Sequence, residues 1–326
     1  MRIAFQYTMK FADISEKLVE QCGGKGAHLG ELTKAGFNVP DGFVVVSDAY
    51  FDLLKYNNLE SEIDKLAQSI NYDDYNDIDT KAKQIRELIE NAELPPEHEQ
   101  IAASYSDLAK EGKTDPYVAV RSSVAVKGTS ISSFPGMMDT YHYIHGAKEV
   151  VAKVKECWGS VWTTRAAMMR HQKQVPYQSA IIAPVVQHMI DPDVAGVAFT
   201  ANPINLSEDE IVVESNWGLG ESVVSGRAMT DFFCLDKATL NVKTKKISKK
   251  LIKMGMDKDL NGGRKEYQVD PAKSQQPSLT HSQLEQLGKA AKAIENHYGS
   301  PRDIEWAFEK DNLYILQARK VKGLKS

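Results

Sequence analysis

The chain has 326 residues, 42% hydrophobic and 26% charged, with a net charge of -4, the balance of a globular protein long enough for two packed lobes. That charge gives no electrostatic drive toward nucleic acid or an anionic membrane. No run of roughly 18 apolar residues could cross a bilayer, and Met1-Arg2-Ile3-Ala4-Phe5 lacks the apolar core of a signal peptide.

Cys22, Cys157 and Cys234 lie far apart, with no C-x-x-C pair. They read as reduced structural thiols, and the expected location is the cytoplasm.

Near the start, Gly23-Gly24-Lys25-Gly26-Ala27-His28-Leu29-Gly30 precedes an apolar helical stretch. Glycines let backbone amides approach an anion, and Lys25 adds a point charge. Lys25 is followed by Gly26, so the loop is not a Walker A motif. A tight turn with a solvated lysine is the competing reading.

Leu59 to Gly112 is helical in pattern. Leu59, Ile63, Leu66 and Ile70 recur at helical spacing, as do Ile78, Ala82, Ile85 and Ile89. Pro95-Pro96 stops one helix and opens the next. This block reads as scaffold.

A short strand, Tyr117 to Val120, leads into Arg121-Ser122-Ser123. A guanidinium on a strand end can grip phosphate oxygens in bidentate fashion, or it can form an ordinary ion pair. A Gly/Ser/Thr loop, a strand over 139–144 and one long helix over 150–172 are expected next. From Ala180 onward short apolar runs predict strands at 181–186, 194–200 and 210–214. The six lysines between Lys243 and Lys253 predict a solvated hairpin or edge strand, with a docking surface for an acidic partner as the sharper alternative. An amphipathic helix covers 284–297. Helix-rich first and strand-rich second, with one crossing segment near 185–190, predicts two α+β lobes, residues 1–188 with a helical insert and 189–326.

The closing hairpin runs from Asp303 to Arg319. With Lys310-Asp311-Asn312 as a three-residue loop, Glu305 faces Gln317 and Asp303 faces Arg319. All four then share one face. Two carboxylates, an amide oxygen and a guanidinium suit Mg²⁺ and polyphosphate; a solvated face with an Asp–Arg pair is the plainer reading.

Several motifs together resemble the ATP-binding domain of the pyruvate phosphate dikinase and phosphoenolpyruvate synthase family. They are the glycine loop with its sequel Ala35-Gly36-Phe37-Asn38-Val39-Pro40-Asp41-Gly42-Phe43, Val118 to Ser123, Phe134-Pro135-Gly136-Met137-Met138-Asp139-Thr140, Gly218-Leu219-Gly220-Glu221, Asp303-Ile304-Glu305-Trp306 and Leu316-Gln317-Ala318-Arg319. The segment Val124 to Gly128 lacks the acidic pair usual in phosphoenolpyruvate synthases, so features of both branches are mixed.

The resemblance implies a two-lobed, ATP-grasp-like domain that binds ATP and Mg²⁺. By residue match, Lys25, Arg121 and Arg319 would contact phosphates, and the loop of Gly136 would lie over them. Glu305 and Gln317 would hold Mg²⁺ with Asp303 nearby, Gln187 would lie at the adenine, and Glu221 would be a further site residue.

In that family ATP's β-phosphoryl reaches a histidine on a swivelling domain, AMP leaves, and a small-molecule acceptor is served elsewhere. Thr280-His281-Ser282-Gln283 looks superficially like that histidine's surroundings, but Thr280 with Gln283 fits a helix capping box. The swivelling domain is therefore expected on a partner subunit, as in the divided relative phenylphosphate synthase, or on a longer chain. The missing proline after Gln317-Ala318-Arg319 hints at a natural terminus. A non-catalytic ATP-binding regulatory subunit is the alternative from another class.

Overall fold

A computed structural model describes residues 6–109, 115–127 and 139–321. Two compact units emerge. One comprises Met1–Glu31 with Asp41–Met189, the other Leu32–Pro40 with Ile190–Ser326. The single crossing segment expected from the sequence is thus incomplete, because an early segment also belongs with the C-terminal part.

In the first unit, β1 (Thr8–Lys10) precedes α1 (Val19–Lys34), whose last three residues belong to the second unit. Then follow β2 (Gly42–Val45) and the helices α2 (Ser47–Tyr56), α3 (Glu60–Gln68), α4 (Tyr75–Asn91) and α5 (Glu99–Leu108). Next come β3 (Val118–Arg121), β4 (Val124–Val126), β5 (Thr140–Ile144), α6 (Ala147–Gly159), α7 (Thr164–Gln172), β6 (Ala180–Ile182) and β7 (Val185–His188). An antiparallel sheet runs β1-β2-β7-β3-β5, and β4 pairs with β6 alone.

The helical spacing read from the sequence is the buried spacing: Ala82 is buried, and Ile63, Ile78, Ile85 and Ile89 join Trp158, Trp162, Val118, Val120 and Val186 in one core. The long helix expected over 150–172 is instead two. A 3-10 turn, Ser160–Trp162, ends the first, and Thr163 turns extended (ψ 147°), its hydroxyl accepting from the Ala166 amide at 3.2 Å. The break lets Trp162 bury its indole, with the Arg170 guanidinium 4.5 Å from the ring centre.

In the second unit, β8 (Val194–Phe199), β9 (Glu210–Trp217), α8 (Glu221–Val224), β10 (Asp231–Asp236) and β11 (Val242–Lys246) lead to a separate hairpin, β12 (Ile252–Met256) with β13 (Arg264–Gln268). The long helix α9 (His281–Tyr298), β14 (Arg302–Glu309) and β15 (Asn312–Lys320) follow. Six antiparallel strands lie in the order β11-β10-β9-β8-β14-β15. Leu284, Leu287, Ala291 and Ile294 of α9 bury one face of this sheet against Ile211, Val213, Phe233, Ile304, Trp306 and Phe308.

Asn38 adds to the sheet's outer edge: its carbonyl accepts from the Ile315 amide at 2.9 Å, and its side-chain amide donates to the Leu313 carbonyl at 2.8 Å. The mixed α+β class read from the sequence holds.

Candidate functional site

Each unit gathers its own set of the residues singled out from the sequence. In the first unit the helical run of α1 is interrupted at Gly23 (φ 64°, ψ 170°). A Cβ there would sit 2.3 Å from Ser123 Oγ and 2.9 Å from the Ser123 carbonyl oxygen, so both backbone sign and space require glycine. Ser123 Oγ accepts from the amides of Lys25 (3.1 Å) and Gly26 (3.3 Å) and donates to the Cys22 carbonyl (3.2 Å). Two amides of the glycine loop are thus held by a serine hydroxyl.

The Lys25 ammonium donates to the Ser122 carbonyl at 2.9 Å, and the residue is only 6% exposed. The competing picture of a solvated lysine on a turn is wrong, because Ser122 and Ser123 pin both backbone and side chain.

Arg121 ends β3, half-buried, and donates to Gln187 Oε1 at 3.3 Å. The β3–β7 register makes this contact, setting Ala119 opposite Gln187 and Arg121 opposite Val185. Lys25, Arg121 and Gln187 are therefore held by one three-residue stretch, Arg121-Ser122-Ser123, and its neighbouring strand. Gly136 lies outside the described residues. Burial raises the pKa of Asp139, with Arg86 opposing the shift, and pushes the Cys22 thiol up to about 12. All three cysteines are buried and free, which fits inert structural thiols.

In the second unit the closing hairpin has Asp303 opposite Arg319 and Glu305 opposite Gln317, as the sequence pattern predicts. The route differs. The loop has two residues, Lys310 and Asp311, with Glu309 paired to Asn312 and Lys310 at φ 56°. A bulge between Glu305 and Trp306 then shifts the register, so that Trp306 faces Ile315 while Glu305 faces Gln317. Leu316 is the extra residue. It matters because Leu313 and Ile315 point into the core. With strict alternation Gln317 and Arg319 would follow them inward; the bulge turns both to the face of Asp303 and Glu305.

The Arg319 Nε donates to Asp303 Oδ2 at 2.7 Å, with the carboxylate nearly buried and the guanidinium half out. Glu305 and Gln317 together offer hard oxygen donors of the kind that Mg²⁺ takes alongside phosphate oxygens. Among the described residues no cluster of three or more His, Cys, Asp or Glu is arranged to hold a metal.

Glu221 is the first residue of α8 and is ion-paired with Arg264 of β13. Before it, Gly218 (φ 74°) lies so close to the Met254 carbonyl that a Cβ would come within 2.2 Å of that oxygen. His281 opens α9 behind a capping box: Thr280 Oγ1 accepts from the Gln283 amide at 3.2 Å, and Gln283 Oε1 from the Thr280 amide at 3.0 Å.

The lysine run divides. Its strand β11 is an exposed edge, but Lys250 is fully buried against fully buried Asp231 at 2.7 Å. Asp231 also accepts from the Ser248 amide (3.0 Å), the Ser278 amide (2.7 Å) and the Ser278 hydroxyl (2.8 Å). A solvated run is thus the wrong description of Lys250. Sequence reasoning also passed over Glu214. It stands on the face of Glu305, separated from it across the sheet by Val197; the alternation of β9, with Ile211 and Val213 in the core, is the signal that could have found it.

Comparison with known proteins gives a consistent result. Among curated relatives, a protein named probable phosphoenolpyruvate synthase from Methanocaldococcus jannaschii is 39% identical over 98% of this chain and 27% of its own length. Phosphoenolpyruvate synthase from Pyrococcus furiosus is 34% identical over 99% of this chain and 44% of its own. The chain thus spans less than half the length of these relatives. D-alanine--D-alanine ligase from Bacillus anthracis superposes over 76% of this chain and 57% of its own, at 9% identity and a TM-score of 0.29, too low to assign a fold. The family profile described as "Pyruvate phosphate dikinase, AMP/ATP-binding domain" matches residues 19–326, and the chain belongs to that family.

Proposed function

We propose that the chain is the ATP-binding part of a dikinase, passing the β-phosphoryl group of ATP to a histidine on a separate swivelling domain or partner subunit. Membership of an AMP/ATP-binding family supports ATP as the ligand. That the relatives extend well beyond the matched region leaves room in such proteins for a histidine carrier and an acceptor site. The observation that carries the reading is the hairpin register, with Asp303, Glu305, Gln317 and Arg319 on one face.

In this reading an imidazole nitrogen of the carrier attacks the β-phosphorus, the bond from it to the α,β-bridging oxygen breaks, and AMP leaves. The carrier first holds the β,γ-pyrophosphoryl group; attack of water on the γ-phosphorus then breaks the β–γ bond, releasing orthophosphate and leaving the β-phosphoryl group on the imidazole. Such transfer needs alignment and charge neutralisation more than covalent help from the protein. Arg319, aimed by Asp303, and Arg121, held by Gln187, grip phosphate oxygens. Lys25 adds a buried positive charge, and Gln187 reads the adenine. Glu221 flanks the nucleotide. Glu305 and Gln317 hold Mg²⁺, which when bound with ATP supplies further charge neutralisation. The carrier's imidazole is itself the nucleophile, so no general base is needed here. The final acceptor would be of the pyruvate or phenol type.

ATP labelled at the β-phosphate, incubated with Mg²⁺, the chain and an extract of its source cells, tests this. AMP together with acid-labile label on a second protein is the expected result. ADP as the product, or label retained on this chain, overturns the mechanism. Nucleotide binding without any turnover favours a regulatory ATP-binding subunit.

A further inference from the structure

The face of the six-stranded sheet that carries the hairpin residues carries one more charged group in line with them. A single rung crosses it, pairing Phe232 with Glu214, Glu214 with Val197, Val197 with Glu305 and Glu305 with Gln317. Directly paired residues share a face, and Ile211 and Val213 on β9 are committed to the core, so Glu214 projects on the same side as Glu305.

Glu214 is half-buried, and its apolar surroundings include its rung neighbours Val197 and Phe232 and its strand neighbour Val212. Its one hydrogen bond among the described residues comes from the Thr230 hydroxyl, to Oε2 at 3.1 Å. An ionised carboxylate has about four acceptor sites, and one neutral donor leaves most of that capacity open to a ligand.

The ligand chemistry that fits is a pair of adjacent hydroxyl donors on a ring with an apolar side: a ribose diol, its hydroxyls on the carboxylate and its nucleoside against half-exposed Phe232. Glu214 and Glu305 stand two strand spacings apart, about 10 Å. Val197 separates the two carboxylates, which argues against their sharing one small ion, whereas a nucleoside triphosphate is long enough to place its sugar at one and its phosphates at the other.

We infer that Glu214, steadied by Thr230, receives the ribose hydroxyls of the nucleotide whose phosphates lie at Glu305, Gln317 and Arg319, and so makes the chain select ribonucleotides over 2′-deoxyribonucleotides. This rests on the ATP-binding reading above.

Calorimetric titration of the chain with Mg²⁺ and ATP, 2′-deoxy-ATP or 3′-deoxy-ATP tests it. The native chain should prefer ATP over either deoxy analogue by about 10- to 100-fold, the worth of one hydrogen bond to a charged group. Glu214→Ala should bring the ATP affinity down to that of the deoxy analogues. Thr230→Val, which leaves the carboxylate in place, should narrow the preference in part.

Should Glu214→Ala fail to fold, isosteric Glu214→Gln serves: its amide keeps one acceptor oxygen, and the preference should shrink without vanishing. A native chain indifferent to the 2′-hydroxyl, or Glu214 variants that keep the full preference, overturns the inference while leaving ATP binding intact. Variants that raise the Mg²⁺ requirement equally for ATP and its deoxy analogues would make Glu214 a metal residue and equally overturn it. No binding of any triphosphate by the native chain removes the underlying reading as well.

Discussion

Glu305 faces Gln317 because Leu316 is a bulge, not because the hairpin loop sets that register. Counting back from the two-residue loop alone would put Leu316 opposite Glu305 and send Gln317 and Arg319 into the core beside Leu313 and Ile315. One additional residue thus decides whether two polar side chains lie on the working face or under α9.

This face should be essential. Arg319→Ala and Glu305→Gln are expected to reduce transfer of label from β-labelled ATP by about 10²- to 10³-fold, the usual cost of one electrostatic contact to the reacting group. Asp303→Asn, which weakens the hold on Arg319 without removing it, should cost less. Wild-type rates in all three variants would show the hairpin to be only a solvated polar surface.

Gly23→Ala should destabilise the first unit by more than about 1 kcal/mol, because alanine resists a φ of 64° and its Cβ meets Ser123. Gly36, also at positive φ (82°) but with nothing within 4 Å of a Cβ, should show the smaller, purely conformational penalty when changed to alanine. Urea denaturation of the two variants side by side checks the difference.

Lys250→Met strands the Asp231 carboxylate in the interior and is expected to cost about 3–5 kcal/mol. Adding Asp231→Leu should recover part of this, although Ser248 and Ser278 also lose their acceptor. A double-mutant cycle with a coupling near zero would rule the pair out as a structural clamp.

Acid should loosen the first unit at His98. Its imidazole is 1% exposed, packed between Tyr7 (4.8 Å between ring centres) and Trp158 (5.9 Å), and neither ring nitrogen has a hydrogen-bond partner among the described residues. Burial lowers its pKa, while the Asp52 and Glu97 carboxylates oppose the shift. The folded state therefore holds the neutral ring where the unfolded chain, with a pKa near about 6.5, takes up a proton. The stabilisation is complete above that pH and declines as pH falls through it toward the folded value. The melting midpoint followed by tryptophan fluorescence should drop between pH 7.5 and 5.5, and His98→Phe should flatten that drop.

His281 is expected to be replaceable. As first residue of a capped helix it needs no special chemistry, so His281→Asn should leave transfer of label intact, while Thr280→Ala should cost about 1 kcal/mol of stability through the lost cap. Loss of transfer in His281→Asn would reopen it as a phosphoryl carrier.

Much of this was legible in the sequence, for identifiable reasons. The helices over Ile63 to Ile89 follow from spacing alone, and the Thr280–Gln283 cap from residue type. The partners of Glu305 and Asp303 were legible because a three-residue loop and a two-residue loop plus bulge give the same pairing beyond the bulge. The break at Thr163 was hidden, since both halves keep an apolar face, no proline marks the turn, and a single glycine, Gly159 at the end of α6, is tolerated inside helices. Lys250 was hidden by its neighbours: nothing in a lysine-rich run says which member finds a buried carboxylate 19 positions away. Lys25 was legible in kind only, since its anchors Ser122 and Ser123 lie nearly a hundred positions along the chain.

The edge contact of Asn38 with Leu313 and Ile315 sets an order of events during synthesis. A segment made among the first forty residues waits for partners about 275 positions later, while Phe37 and Val39 on either side of it find their own packing only in the second core. During that interval this stretch is apolar chain without a home, beside a first unit that already has its own core. Pairings of such long range are closed late and slowly, so the interval between translation of residue 38 and of residue 315 is where chaperone binding and misassembly should concentrate.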